Sequence, residues 1–285
     1  MNYSVKNILL ATSFQHKISV SIFYPENSSN KSIIISSATG VLQKYYSRFA
    51  SHFSSLGFTV YTFDYYGIGA SNSKSIKHIT ANLNAWAFDQ AAVIKYAKET
   101  NPEHKIILIT HSIGGQLMGL NAEIKLVDSI ITIASQTGYW KYFKGFSRFR
   151  MFMFWYVLIP FTTPIFGYFP AKKLGLFENI PKQVAYQWRQ WGIHPNYMFG
   201  HFKNTELYFS TVSCPVLILS FPRDLFASKA SVDWLASKLT HAKVDRRHLI
   251  PADLNIKDVQ HFGYFKKEYQ DSLWKLTETW INENS

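Results

Sequence analysis

Ser112 lies in Thr110-His-Ser-Ile-Gly-Gly115, with a short, continuously apolar, β-branched run before it and a helical pattern after it. A serine on so sharp a strand-to-helix turn carries its hydroxyl above the carboxyl end of a sheet. The turn requires the residues two before and two after it to be small. Gly114 and Gly115 meet that demand; Thr110 meets it less well than glycine would. The same turn aims the Ile113 N–H at the place where a carbonyl oxygen would gather negative charge during attack. A Ser-x-Gly-Gly turn can also do no more than close a strand–helix junction. The strand before it and the helix after it favour the chemical reading.

A serine nucleophile needs a base, and the base needs a carboxylate to fix its tautomer. His261, in Gln260-His-Phe-Gly-Tyr-Phe265, follows the last strand and precedes the final amphipathic helix. The chain has 10 histidines, so only membership of an ordered trio makes this one special. Asp224 hangs from the end of the late apolar run Val216–Ser220, which gives the order serine, acid, histidine. Asp253 and Asp258 are rivals, but both follow the next strand and lie close to His261 itself. A lone loop aspartate is usually a turn or helix cap; its place in the order is what raises Asp224. A second oxyanion donor is expected from the Val41 N–H, in Ser37-Ala-Thr-Gly40-Val41, where Gly40 permits a close backbone approach.

Such a trio needs a rigid sheet, and the chain supplies one. Ile18–Tyr24 alternates as a half-exposed strand, whereas Ser32–Ser36, Phe58–Phe63, Lys105–Thr110, Val127–Ala134 and Val216–Ser220 read as strands buried on both faces. His248–Ile250 reads as a shorter last strand. Helical patterns fall at Tyr45–Leu56, about Ala81–Lys98 (with Ala85, Phe88, Ala92 and Ile94 near helical spacing), Ser231–Leu239 and Phe265–Ile281. This alternation predicts an α/β fold with a mostly parallel central sheet flanked by helices. Gln136–Ser210 breaks the alternation and reads as an inserted cap, leaving 1–135 and 211–285 as the core.

At these residues the chain resembles the α/β-hydrolase superfamily, and within it a bacterial group of predicted serine hydrolases. The resemblance rests on Ala38-Thr-Gly-Val with Tyr45-Tyr46, Phe63-Asp-Tyr-Tyr-Gly-Ile-Gly-Ala-Ser71, His111-Ser-Ile-Gly-Gly115, Phe166-Gly-Tyr-Phe-Pro170 and His261-Phe-Gly-Tyr-Phe265. It implies the fold and the triad and almost nothing about substrate. The family often has arginine where this chain has Tyr66, and glycine where it has Gln260. The first change removes a positive charge beside the core; the second stiffens the turn before the base.

Hydrophobic residues make up 47% of the chain and charged ones 17%, enough to bury a large core. The single cysteine, Cys214, excludes an internal disulfide and fits a reducing compartment. The longest apolar run, Met151–Ile159, stops at Pro160 and is too short to span a bilayer. A soluble cytoplasmic protein is therefore the expectation. The inserted stretch 136–210 holds 23 of the 48 aromatic residues, with nine Lys or Arg against two Glu, so it carries +7 of the net +12. Its aromatics would line a site for an acyl or aryl group or build the cap's own small core. Its basic rim suits peripheral contact with an anionic membrane.

The leading expectation is a serine hydrolase cleaving a carboxylic ester through an acyl-enzyme on Ser112, with a small acyl compound as partner. An acyltransferase or thioesterase would use the same triad. A non-catalytic binder of nucleic acid or membrane is a distant alternative, and no nucleic-acid partner is expected. No cofactor and no metal are expected. His241 and His248 match no ligand motif, and Gly67-Ile-Gly69 lacks the third glycine and helix start of a dinucleotide site.

Overall fold

The computed structural model describes residues 2–285. The chain runs β1 (Tyr3–Ala11), β2 (Lys17–Pro25), β3 (Lys31–Ser36), α1 (Ser47–Ser55), β4 (Thr59–Phe63), α2 (Leu83–Thr100), β5 (Lys105–His111), α3 (Ile113–Leu117) and β6 (Ser129–Ile133). It then leaves the sheet for α4 (Gly145–Met153), α5 (Ile159–Phe166), β7 (Tyr168–Phe169), β8 (Ile180–Pro181) and α6 (Lys182–Ile193). It returns through β9 (Pro215–Ser220), α7 (Lys229–Ala236), β10 (Lys243–His248) and α8 (Lys275–Asn284).

The 8-stranded sheet has the order β1-β2-β4-β3-β5-β6-β9-β10. β1 and β2 pair antiparallel, β2 meets β4 antiparallel, and every other pairing is parallel. Strand order reverses between β3 and β5, so the loops leaving their carboxyl ends diverge and open a crevice there. Both the loop from Ser37 to Val41 and Ser112 sit at that point.

Period-two geometry divides the strands between two apolar layers. Ile33, Ile35, Ile107, Ile109, Ile131, Ile133, Leu217 and Leu219 face α1 and α8, while Ile34, Leu108, Ile130 and Ile218 face the side of α2 and α3. Each fully buried branched side chain stabilises the fold by roughly 1.5–3 kcal/mol. Trp155, Ile159, Phe169, Ile180 and Trp188 of the insertion join the second layer, so its aromatics extend the main core instead of enclosing a separate one.

Several elements depart from the sequence reading. β1 is an additional edge strand, mostly exposed and without a buried apolar stripe. The last strand is Lys243–His248, ending where His248–Ile250 was expected to begin; as a charged edge strand it has little apolar signal. Phe88 turns away from the core of α2 to meet Phe14, with ring centroids 5.2 Å apart. The apolar run Met151–Ile159, expected to be too short to span a bilayer, lies within a longer helix that continues through Pro160: Gly145–Phe166 is 22 residues, long and apolar enough to cross a membrane by length and composition. A wide turn at Phe154–Leu158 shifts the hydrogen-bond ladder just ahead of the proline. Its stripe of Met151, Phe154, Trp155, Ile159 and Thr163 is buried against the protein.

Tyr66, at the position where arginine is common, leaves a buried carboxylate to be matched from elsewhere. Asp89 of α2 is fully buried and accepts the Tyr66 N–H at 2.8 Å. His16 of the β1–β2 hairpin reaches in to hydrogen-bond its other oxygen, and the imidazole stacks on the Tyr66 ring at 4.0 Å. Burial pushes the Asp89 carboxyl up, and the contact with His16 opposes that shift. His16→Ala is expected to cost roughly 3 kcal/mol, since a buried group loses its partner. In an Asp89→Asn background the same change should cost markedly less, with urea unfolding as the readout.

Candidate active site

Ser112 takes φ 53° and ψ −113°, a backbone conformation that costs a non-glycine residue about 1–3 kcal/mol. It persists because the neighbouring strands leave no alternative. The Ser112 N–H donates to Ile133 C=O at 3.0 Å, and its own C=O accepts from Gly115 N–H at 3.2 Å. A Cβ on Gly114 would stand 2.5 Å from the Ser36 carbonyl oxygen, and one on Gly115 would stand 2.4 Å from Ser135 Oγ. Thr110 is tolerated because its hydroxyl faces Ser135 Oγ at 3.3 Å.

Asp224 and His261 meet across the end of β9. His261 Nδ1 lies 2.9 and 3.1 Å from the two carboxylate oxygens, with both residues buried. Asp224 Oδ1 also accepts the N–H groups of Phe226 and Ala227 at 2.8 and 2.9 Å. These three contacts leave the carboxylate one orientation. The rival Asp258 pairs with Arg223 at 3.0 Å, and Asp253 lies on an exposed turn, so neither is bonded to His261. Gln260 adopts φ 51°, the left-handed geometry that glycine takes freely, and its amide donates to Asp258 at 3.1 Å.

Ser112 and His261 line one cavity of about 80 Å³, with Thr39, Gln136, Met151, Phe154, Trp155 and Phe226 among its walls. No hydrogen bond joins the Ser112 hydroxyl to His261 in this arrangement. Such contacts commonly tighten only when substrate is bound. Leu176, Phe177 and Phe262 separate this cavity from an open groove of about 620 Å³ beside Gly40 and Tyr45.

Ile113 starts α3 directly beside the serine, as the motif requires. The other expected donor is a correction. Val41 N–H closes a turn onto Ala38 C=O at 3.1 Å, and Val41 lines the outer groove. Gly40 does permit a close approach, but of the inserted segment: Glu178 N–H donates to its carbonyl at 3.0 Å. Thr39, two residues before Val41, is the loop residue facing Ser112, and its N–H donates to no group among the described residues.

Residues missed in the sequence hold these parts in register. His111, fully buried, has Nε2 at 2.9 Å from His261 C=O and Nδ1 at 2.9 Å from Tyr46 Oη. A carbonyl only accepts, so Nε2 carries the proton. Burial, with His261 adding to it, pushes the His111 pKa well down, which keeps Nδ1 bare to accept from Tyr46. The Tyr46 oxygen in turn accepts the Ala38 N–H at 2.9 Å. Tyr45 donates to Phe262 C=O directly, whereas Tyr46 reaches the neighbouring His261 C=O only through His111. The signal for this was the pair Tyr45-Tyr46 combined with the histidine before the nucleophile. Asp64 secures the far end of the loop after β3, accepting the N–H of Gln43 at 2.7 Å, and ties it to the glycine-rich turn through the N–H of Ala70 at 2.9 Å. The glycine-rich turn is thus a brace, since a Cβ on Gly69 would meet Asp64 Oδ2 at 2.4 Å. From the insertion, Arg150 donates to Leu225 C=O at 3.2 Å and lies 4.1 Å over the Phe226 ring, itself 5.1 Å from the His261 ring.

Tyr46→Phe removes the hydroxyl from the middle of this chain and strands two buried polar groups. Stability should fall by roughly 2 kcal/mol, and kcat by roughly tenfold or more with KM little changed, because small displacements of reacting groups are costly. Denaturant melts and steady-state kinetics on the purified variant check both.

The family model for serine aminopeptidase, S33, matches residues 28–160, a little under half of the chain, which include Ser112 but neither Asp224 nor His261. No curated protein sequence matches the chain. Solved structures do. A highly thermostable carboxyl esterase from Bacillus coagulans is similar with TM-score 0.68 at 12% identity, covering 99% of each chain. An esterase from Pyrococcus furiosus is similar with TM-score 0.62 at 14% identity, over 98% of this chain and 91% of its own. A thermophilic esterase from Thermogutta terrifontis gives TM-score 0.61 at 14% identity, over 98% of both. At such identities these are likenesses of fold.

Proposed function

Starting from the α/β-hydrolase fold that this chain has, we propose that it is a serine hydrolase cleaving carboxylic esters through an acyl-enzyme on Ser112. The observation that carries this is the strained serine and the Asp224-bound His261 lining one largely apolar cavity. The family model and the esterases of like fold support the same reading.

In the first step Ser112 Oγ attacks the ester carbonyl carbon while His261 Nε2 takes the hydroxyl proton. Nδ1 faces Asp224, so Nε2 is the nitrogen left for the serine. The charge passes to the carbonyl oxygen, where the N–H groups of Ile113 and Thr39 act as donors. The imidazolium then returns its proton to the leaving alkoxide as the ester C–O bond breaks. Water attacks the acyl-enzyme in the second step, giving its proton to His261 and restoring Ser112. Asp224 stabilises the imidazolium in both steps and stays ionised.

The narrow cavity of about 80 Å³ suits a short acyl group better than a long one. Typical sites for larger ligands run to roughly 300 Å³ and above. Longer chains therefore require the Leu176–Phe177–Phe262 wall or the helix over the cavity to move.

Ser112→Ala should lower ester turnover by roughly 10⁴-fold while leaving the fold intact. In free solution the wild-type enzyme should prefer acetyl and butyryl esters to dodecanoyl esters of the same alcohol. Initial rates across such a series check both statements; undiminished hydrolysis by the alanine variant would refute the assignment.

A further inference from the structure

The helix that roofs the cavity also presents a second, outward face. Phe146, Phe149, Phe161 and Ile165 are 72%, 59%, 67% and 77% exposed, high values for side chains of this size. Twelve positions separate Phe149 from Phe161, and the wide turn at Phe154–Leu158 takes up one of them. About three α-helical turns of ~3.6 residues remain, so the two exposed pairs share one side of the helix. That side lies opposite the buried stripe of Met151, Trp155 and Ile159.

Charge flanks this apolar strip at both ends. From Gln136 to Phe177 the sequence has six Lys or Arg and no Asp or Glu. Lys141, Lys144 and Arg148 stand exposed around the start of the helix, and Lys172 and Lys173 beyond its end. Lys172 is paired with Glu178 at 2.7 Å; the other four have no acidic partner within 4.0 Å among the described residues. Arg148 and Lys173 lie over aromatic rings, Trp140 at 5.1 Å and Phe166 at 4.7 Å, which places cations and aromatics at the same level.

We propose that Gly145–Phe166 docks the protein on an anionic lipid bilayer, lying in the plane of the interface. Phe146, Phe149, Phe161 and Ile165 enter the acyl boundary, while Lys141, Lys144, Arg148 and Lys173 meet the anionic headgroups. The helix does not span, because doing so would tear Trp155 and Ile159 out of the core. A second copy of the chain would bring the same uncompensated cations against one another, whereas an anionic surface complements them. Met151, Phe154, Trp155 and Leu158 on the inner side of the same helix wall the cavity of Ser112, so the bound lipid surface adjoins the cavity roof. That last link, to acyl substrates drawn from the bilayer, rests on the hydrolase reading above; the docking itself does not.

The test is flotation of the full chain, carrying Ser112→Ala so that no lipid is consumed. The vesicles are phosphatidylcholine alone or phosphatidylcholine mixed with phosphatidylglycerol. The protein should float with the mixed vesicles and far less with the neutral ones, and high salt should release it. The triple variant Phe146→Glu, Phe161→Glu, Ile165→Glu should reduce binding about tenfold or more. Lys141→Ser, Lys144→Ser, Arg148→Ser should abolish the preference for anionic lipid. In an otherwise wild-type background both sets should hydrolyse a short soluble ester at the unaltered rate, since none of these residues lines the cavity. Protein left at the bottom of the gradient with both vesicle types would overturn the proposal. So would a lipid-free dimer that the glutamate variant dissociates, which would give the face to a second copy. Loss of ester hydrolysis with flotation intact would instead strike the catalytic reading alone.

Discussion

Ser112 is held in a left-handed backbone conformation that its own residue type disfavours, and the surrounding sheet is built to keep it there. β3 presses a carbonyl against Gly114, Ser135 presses a hydroxyl against Gly115, and β6 takes the serine N–H. The first two contacts leave no room for a side chain on either glycine. The strain is thereby balanced by packing across three adjacent parallel strands, and the two apolar layers that bury those strands supply the rigidity. A hydroxyl at a fixed height above the sheet, turned into the cavity, is the result, and the loops leaving β3, β9 and β10 are arranged around it.

His111, next to Ser112, connects two of these loops: its Nε2–H holds the His261 loop after β10, and its Nδ1 reaches through Tyr46 to the N–H of Ala38 in the loop after β3. Nε2 donates, Nδ1 accepts and the Tyr46 hydroxyl does both, so a protonated imidazole would break the pattern. Burial keeps it neutral. The inserted segment adds a second connection, from Arg150 to the acid loop and from Glu178 to Gly40, so the cap bears on both sides of the reaction centre.

The sequence disclosed most where burial leaves no choice. β3, β5, β6 and β9 are continuous apolar runs because both faces are covered, and the order serine, acid, histidine needs only those strands as landmarks. β1 and β10 were obscured for the opposite reason: edge strands face water, and Val5 and Leu9 on one, or Lys243 and Arg247 on the other, carry no core pattern. Counting onward from Gly40 misplaced the oxyanion donor at Val41, since a tight turn uses that N–H internally and turns are not visible as periodicity. Pro160 misled in the same way. A proline usually ends a helix, and the wide turn that absorbs it has no simple sequence mark. The compensation of Tyr66 by His16 spans 50 residues and could be found only in three dimensions.

On the proposed function, Ser112 is a nucleophile activated by the His261–Asp224 pair. A fluorophosphonate ester tests it most directly, followed by mass mapping of the modified peptide. One phosphonyl adduct per chain is expected, on Ser112, formed rapidly in the wild type and very slowly in Asp224→Asn. An adduct on another residue, or none on a folded wild-type protein, would contradict it.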